Sequence, residues 1–338
     1  MTSISASDSL RGAGSLQRLY DSALGPYLAA QDRRVLAARR NRWLVLVAGL
    51  ALAGGVLAWA WQSGSDSEYG LMAGFGLALG SIGYFWFSTA TIAEDVRHEL
   101  MGRIAKGLGL GYEAEARGFD LDRFALLGLE GCDKISRSDR LFGKVSGLPV
   151  DMMAARLADE SSAGVGNQRH SQIVERFSGL LLRIGDPAPA SACFRLLPPA
   201  GATPHGMLRG APVVMLDRPA DLRAMAAGSA QSAPATPTGD TAFDERFELQ
   251  AADVAPALRR LDAGMRAALL DIAGRFDGGP VSVGFDDGEI LFAFVTRQRF
   301  EIGPLRPPMA EFERVQRLAD QMAILAVIAD TLKRTAGI

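Results

Sequence analysis

Cysteine and histidine are scarce in this 338-residue chain, and each shortage closes off a class of function. The two cysteines, Cys132 and Cys193, stand far apart without a CxxC spacing. A structural zinc site wants about four Cys/His ligands in close-spaced pairs, and a disulfide framework belongs to small secreted domains. Both thiols therefore read as small buried hydrophobes in a reducing compartment. None of the three histidines, His98, His170 and His205, sits in an HExxH-type order. Ser171 follows His170 without a GxSxG elbow. The glycines of LFGKVSG (Gly143, Gly147) lack the order of a phosphate loop, Gly164-Val165-Gly166 lies in a polar loop, and no GxGxxG opens a helix after a strand. Asp286 and Asp287 occupy a turn, while Asp139-Arg140 and Glu175-Arg176 alternate in sign as solvated pairs do. No catalytic residue, metal ligand or cofactor contact is assigned. Lysine is confined to Lys106, Lys134, Lys144 and Lys333, and the net charge is -2. Without a global basic field, nucleic acid is not expected as a partner.

Charge is missing altogether from two runs near the N-terminus. Trp43 to Trp61 reads WLVLVAGLALAGGVLAWAW and Gly70 to Phe87 reads GLMAGFGLALGSIGYFWF. A helix rising about 1.5 Å per residue needs roughly 20 such residues to cross about 30 Å of hydrocarbon. The pattern predicts transmembrane helices over 43–62 and 70–88, joined by a short extracytoplasmic loop at 63–69 and preceded by a cytoplasmic helical segment over 1–42. Arg33, Arg34, Arg39, Arg40 and Arg42 precede the first run; Arg97, Arg103 and Lys106 follow the second. The connecting loop has neither Lys nor Arg and carries Asp66 and Glu68. By the positive-inside rule these arginines set the topology, with both termini and the main domain in the cytoplasm of a bacterial inner membrane. Trp43 and Trp86 fall at the inner interface, and Trp59, Trp61 and Tyr69 at the outer one. A signal peptide is the competing reading, since Ala58-Trp59-Ala60 mimics a cleavage box. About 42 residues precede that run, however, and a second run follows at once. A buried core hairpin fits poorly with arginine clusters on the flanks.

Small residues mark where these helices can meet. Gly70 and Gly74 form one GxxxG, and Gly76 and Gly80 another; the first run offers Gly49, Ala53 and Gly54-Gly55. Where packing replaces the hydrophobic effect, such residues let backbones approach closely. Packing of the two spans on each other is expected, with a homo-oligomeric contact as the alternative.

The rest of the chain, 89–338, reads as an α+β cytosolic domain, mainly antiparallel with covering helices. Residues 1–14 are expected to be disordered. Ser15 to Arg42 is predicted helical, interrupted at Pro26, and lies either on the headgroups or on the cytosolic domain. Glu94-Asp95 open a helix that ends at Gly107, Gly109 and Gly111. Val145 to Ala154 and Phe177 to Ile184 are predicted strands separated by a polar loop. A flexible excursion covers 226–240. One amphipathic helix is predicted over Asp253 to Phe276, carrying Leu258, Leu261, Met265, Leu269 and Ile272. A hairpin follows, Val281 to Phe285 and Ile290 to Val295 about an Asp287-Gly288 turn. The last helix, Met309 to Arg334, spaces Val315, Leu318, Met322, Leu325, Ala329 and Leu332 by three and four. It either covers its own domain or forms a coiled-coil seam.

Taken in order, SDRLFGKVSGLPVDMMAARLADE at 138–160, ERFSGLLLRI at 175–184, FDERFELQAADVAPALRRL at 243–261 and FEIGPL at 300–305 resemble a bacterial membrane-protein family. That family is catalogued as domain of unknown function 3137. Its middle segment runs to a Phe-Arg-Gly-Leu spelling, from which Glu175 to Gly179 departs. The resemblance implies the architecture and carries no catalytic residue across. With the lipid bilayer as the expected surroundings of such an anchor, a membrane-tethered adaptor or regulator with a protein partner is expected. The alternative is a ligand-sensing domain or an enzyme with a site assembled from distant residues, His170 or Arg195 among them.

Overall fold

The computed structural model describes residues 13–63, 67–87, 90–163, 170–188, 193–199, 235–276, 279–296, 300 and 310–337. The expected disorder of 1–14 (but for its last two residues), the Gly164-Val165-Gly166 loop, His205 and positions 226–234 of the excursion lie outside them. The chain divides into two compact units, one of residues 105–301 with 320–338, the other of 12–104 with 302–319.

The helical unit begins with α1 (Ala13–Leu19), a π-helical turn (Tyr20–Leu24) and α2 (Gly25–Ser63). The expected break at Pro26 is absent, and helix runs on through it. Proline lacks an N–H and crowds the carbonyl four residues back. The wider π turn immediately before it absorbs that demand, with the Gly25 N–H donating five residues back to the Tyr20 carbonyl. Leu24, Leu28, Gln31 and Val35 recur along one stripe and are buried. On the same unit the Tyr20 hydroxyl donates to the Ala310 carbonyl at 2.7 Å, its ring meets Phe312 edge-on, and the Arg103 guanidinium lies over Tyr27. The start of α2 thus packs on protein within this unit.

The far half of α2 is a helix long and apolar enough to cross a membrane, with only 11% of its most apolar window buried. It packs against α3 (Ser67–Phe87), whose apolar stretch Leu71–Phe85 is shorter than a full span. Next, α4 (Ala90–Gly107) starts a turn earlier than predicted, so Glu94-Asp95 fall past its first turn. Leu100 and Ile104 are buried as their spacing requires, and Gly109 at φ +76° ends the run.

The second unit is an α+β domain on one eight-stranded antiparallel sheet. Its strands are β1 (Leu110–Glu113), β2 (Lys134–Val145), β3 (Leu148–Ala163), β4 (His170–Gly185), β5 (Phe194–Leu197), β6 (Glu248–Ala251), β7 (Val281–Asp286) and β8 (Glu289–Val295). They lie in the order β1-β2-β3-β4-β8-β7-β5-β6, every neighbour antiparallel. The strand predicted over Val145–Ala154 is two strands: Ser146 (φ +51°) and Gly147 (φ +84°) form a tight turn between them. Both central residues at positive φ match the twist of a two-residue hairpin. The polar stretch expected as loop after it is largely strand, because β3 runs to Ala163 and β4 begins at His170. The Asp287-Gly288 hairpin forms as predicted, at φ +43° and +75°.

One sheet face buries Met152, Leu182, Phe292 and Val283 in a row across four strands, with Phe194 stacked on Phe285 and Phe294 on Phe276. Phe276 follows the second of two helices, α6 (Val254–Arg260) and α7 (Ala263–Gly274), which replace the single helix predicted there. Apolar spacing continues across the break and hides it. Asp262 starts a fresh helix by accepting the Met265 N–H at 2.7 Å. A short helix α5 (Thr241–Asp244) is capped by Asp240, and Thr236 bridges Leu249, so the end of the expected excursion is ordered. The final helix α8 (Phe312–Thr335) buries all six predicted stripe residues within the chain, which fills the seam a coiled coil would need.

Close approach of β8 to Gly179 makes a sharp test. A Cβ there would collide with the Phe294 carbonyl oxygen and lie 2.9 Å from its carbon. Neither group is a flexible side-chain end. Gly179→Ala is expected to destabilise the domain by about 2–4 kcal/mol, read as a lower denaturant midpoint of the full chain.

Candidate functional site

The other sheet face carries the charged groups. It is covered by the segment from Ala116 to Leu129, including a 3₁₀ turn at Asp122–Leu127, whose Phe119, Phe124 and Leu127 pack on Met153, Leu157, Phe177, Leu181 and Leu291. Along its edge runs a row of ion pairs.

The row starts at a β-bulge between Ser138 and Leu141. Asp139 sits in it at φ +55°, almost wholly buried, and its carboxylate accepts the Tyr112 hydroxyl at 2.8 Å. Its N–H donates to the Ala114 carbonyl. The bulge aims Arg140 across the strands. Its Nε and Nη2 donate to the two oxygens of Asp151 at 2.8 and 2.9 Å, its Nη1 to Glu113 at 3.0 Å, and its plane lies over Phe142. This forked geometry is the strong form of a carboxylate–guanidinium contact. Hydrogen bonding to Asp151 raises the Arg140 pKa further above its ordinary value, against the opposing effect of burial. Gly118 is required beside it, since a Cβ would strike the Arg140 Nη1.

From Asp151 the row continues through Arg183, which also meets Glu289 at 3.4 Å and Asp120 at 3.8 Å. Arg123 then links Asp120 to Asp286. Five carboxylates (Glu113, Asp151, Asp120, Glu289, Asp286) thus meet three guanidiniums (Arg140, Arg183, Arg123). Pairing of this density fixes strands and covering segment, and it leaves the carboxylates committed to arginine.

The expected solvation of Asp139-Arg140 and Glu175-Arg176 is corrected by this geometry. Arg140 is 14% exposed. Glu175, also 14% exposed, pairs with Arg156, and Arg176 pairs with Asp159 and touches Cys132. The signal that sequence reading missed is the Ser146-Gly147 turn. It fixes Phe142 opposite Asp151 and so places Arg140 diagonally across from that carboxylate.

Arg195 is buried and donates to the Gln250 side-chain oxygen at 2.8 and 3.0 Å and to the Leu126 carbonyl at 3.0 Å, as a clamp between β5, β6 and the covering segment. His98 accompanies Arg97 on the Glu94 carboxylate, one turn back on α4. Glu94 is salt-bridged to Arg97 within one helix, and the three side chains do not make a ligand set. His170 lies in β4; its side chain lies outside the described residues. Among the described residues no group of three His, Cys, Asp or Glu is arranged to hold a metal ion.

The glycines predicted to pack helices divide into two sets. A Cβ on Gly49 would collide with the Ser81 side chain, and one on Gly74 would lie 2.7 Å from Leu57, so both belong to the α2–α3 contact. Gly54, Gly76 and Gly80 have open space where a Cβ would stand. Gly70 lies in α3, and its surroundings lie outside the description. Near Gly54, an open apolar groove of about 500 Å³ is lined by Ala48, Ala51, Leu52, Gly55, Val56 and Trp59, with no converging polar side chain. Of the topology-setting arginines, Arg33, Arg34 and Arg40 are exposed, and Arg42 lies over Phe85 at 4.5 Å. The Arg39 side chain lies outside the description.

Comparison with protein-family models, with curated proteins and with solved structures found no match.

Two predictions follow the charges. Asp151→Asn strands a buried guanidinium and is expected to cost about 3 kcal/mol, whereas Arg140→Met with Asp151→Leu recovers most of that loss; thermal midpoints of the three proteins check it. Cys193 is exposed, not buried as its sequence suggested, yet desolvation of the thiol and the Asp286 carboxylate beside it push it up to about 11. The folded form holds its proton more tightly than an ordinary thiol, so alkylation by iodoacetamide in a Cys132→Ser background should rise with a midpoint near pH 11. A midpoint at the ordinary thiol value would contradict the Asp286 contact.

Proposed function

We propose that this chain is a non-enzymatic adaptor or regulatory module of a bacterial inner membrane. A two-helix hairpin tethers it, with both termini and the sheet domain on the cytoplasmic side, and the domain engages another protein.

The observation that carries this reading is where the apolar surface lies. Of 19 exposed large hydrophobic residues among those described, 16 fall between Trp43 and Tyr84, Trp59 and Trp61 among the most open. In water that concentration would be costly; in hydrocarbon it is the expected outward face. The core helix of a soluble protein would instead bury such a run. Arg42 and Trp43, both on Phe85, supply the aromatic and basic belt of an inner interface. The shorter apolar stretch of α3 is compatible with a span that relies on flanking residues and local bilayer thinning. The resemblance to the family of unknown function 3137 agrees with this arrangement.

The adaptor half rests on the charged groups. In the sheet domain the ionisable side chains of the row are tied to one another, and Cys193 is held as a protonated thiol. Such groups hold a shape and leave little acid–base capacity at neutral pH.

Two measurements test the parts separately. A Ser65→Cys variant lacking Cys132 and Cys193 should react with a membrane-impermeant thiol reagent in intact spheroplasts; labelling only after lysis would reverse the topology. Gentle solubilisation from native membranes followed by mass spectrometry should yield a second polypeptide at fixed stoichiometry. A homo-oligomer or a bound small molecule alone would overturn the adaptor reading.

A further inference from the structure

We propose that Arg33, Arg34 and Arg40 form a binding surface for anionic phospholipid headgroups at the base of α2. The proposal rests on the reading of α2 as a span, and it specifies the lipid that this anchor selects.

Among the described residues many arginines are neutralised, though Arg259 and Arg317 are exposed outside any ion pair. Arg97, Arg103, Arg123, Arg140, Arg183 and Arg260 all pair with carboxylates. Among the described residues Arg33, Arg34 and Arg40 have no such partner, and all three are exposed. The asymmetry extends to the two helices that flank the apolar pair. After it, Arg97 meets Glu94 and Arg103 meets Glu99, with Lys106 exposed beyond them; before it, three arginines are left open.

Packing produces that exposure. Leu24, Leu28, Gln31 and Val35 are buried on the opposite side of α2, which turns Arg33 and Arg40 outward. Helix runs unbroken from Gly25 to Ser63, so these side chains keep a fixed height relative to Trp43. At about 1.5 Å per residue, Arg40 stands about 4.5 Å and Arg33 about 15 Å from Trp43 along the axis. The nearer charge falls within the roughly 8–10 Å over which a charged surface acts at physiological salt.

The neighbours of Arg40 favour a lipid over a free anion. Leu36 and Leu44 lie one turn on either side of it on the same face and are 53% and 62% exposed. A soluble phosphate makes no use of two exposed leucines. A phospholipid does, because its acyl region meets Leu44 while its phosphate meets the guanidinium and its headgroup lies along Leu36. Each arginine near an anionic surface contributes about fivefold to binding.

The test uses the full chain purified in an uncharged detergent, mixed with phosphatidylglycerol or phosphatidylcholine, with retained lipid counted by native mass spectrometry. Wild type is expected to retain phosphatidylglycerol at least roughly tenfold better, with the preference shrinking as salt rises. The variant R33K/R34K/R40K should keep that preference and R33Q/R34Q/R40Q should lose it, while inorganic phosphate should compete no better than chloride at equal ionic strength. Retention of the preference by the glutamine variant, its absence in wild type, or displacement of the lipid by inorganic phosphate would overturn the proposal. Alkaline extraction of native membranes separates the two levels. A chain that pellets but shows no lipid preference defeats only the lipid surface, whereas a chain released into the supernatant defeats the span itself.

Discussion

The fork from Arg140 to Asp151 is the contact on which the sheet domain's arrangement turns. It joins β2 to β3 directly and β1 through Glu113, and it passes charge to β4 and β8 through Arg183. Its geometry depends on the bulge at Asp139, which costs backbone strain in a non-glycine residue at positive φ. The Tyr112 hydroxyl and the Ala114 carbonyl hold that residue in place. A buried ion pair of this kind contributes little net stability against an apolar replacement, yet it is expensive to break on one side. Its effect is to fix one register: β2 slipped by a single residue would send Arg140 to the opposite sheet face.

With that register fixed, the two faces of the sheet take different roles. One is filled with aromatic and aliphatic side chains beneath α7, and the other is closed by the Ala116–Leu129 segment with the ion pairs at its margin. Arg195 carries a second buried polar contact into the same cover through the Leu126 carbonyl. Side chains that look available for chemistry in the sequence, Asp139, Arg140, Glu175 and Arg195, are thus tied up in holding this cover and its strands.

The helical unit follows a different physics. Gly49 and Gly74 let α2 and α3 approach, and Ser81, buried at their contact, returns its hydroxyl to the Leu77 carbonyl within its own helix at 2.7 Å. The outward side chains are apolar, and the cationic residues collect at one end. Packing of Leu24, Leu28 and Val35 on the protein couples the apolar segment rigidly to what precedes it.

The sequence by itself determined the elements whose signal is local: the two apolar helices, the Asp287-Gly288 hairpin, the stripe of the last helix and the α+β class. Each follows from hydrophobic period or from backbone preference at a few adjacent residues. Local pattern misled where an end or a break depended on geometry outside the window. One apolar period ran across the cap at Asp262, polar side chains masked the far ends of β3 and β4, and Pro26 read as a break that a π turn absorbs. Tertiary structure alone decided the strand order, which glycines meet another helix, and the burial of Arg140 and Arg195. Those outcomes depend on pairings between residues far apart in the chain, where a one-residue shift of register exchanges a solvated charge for a buried one.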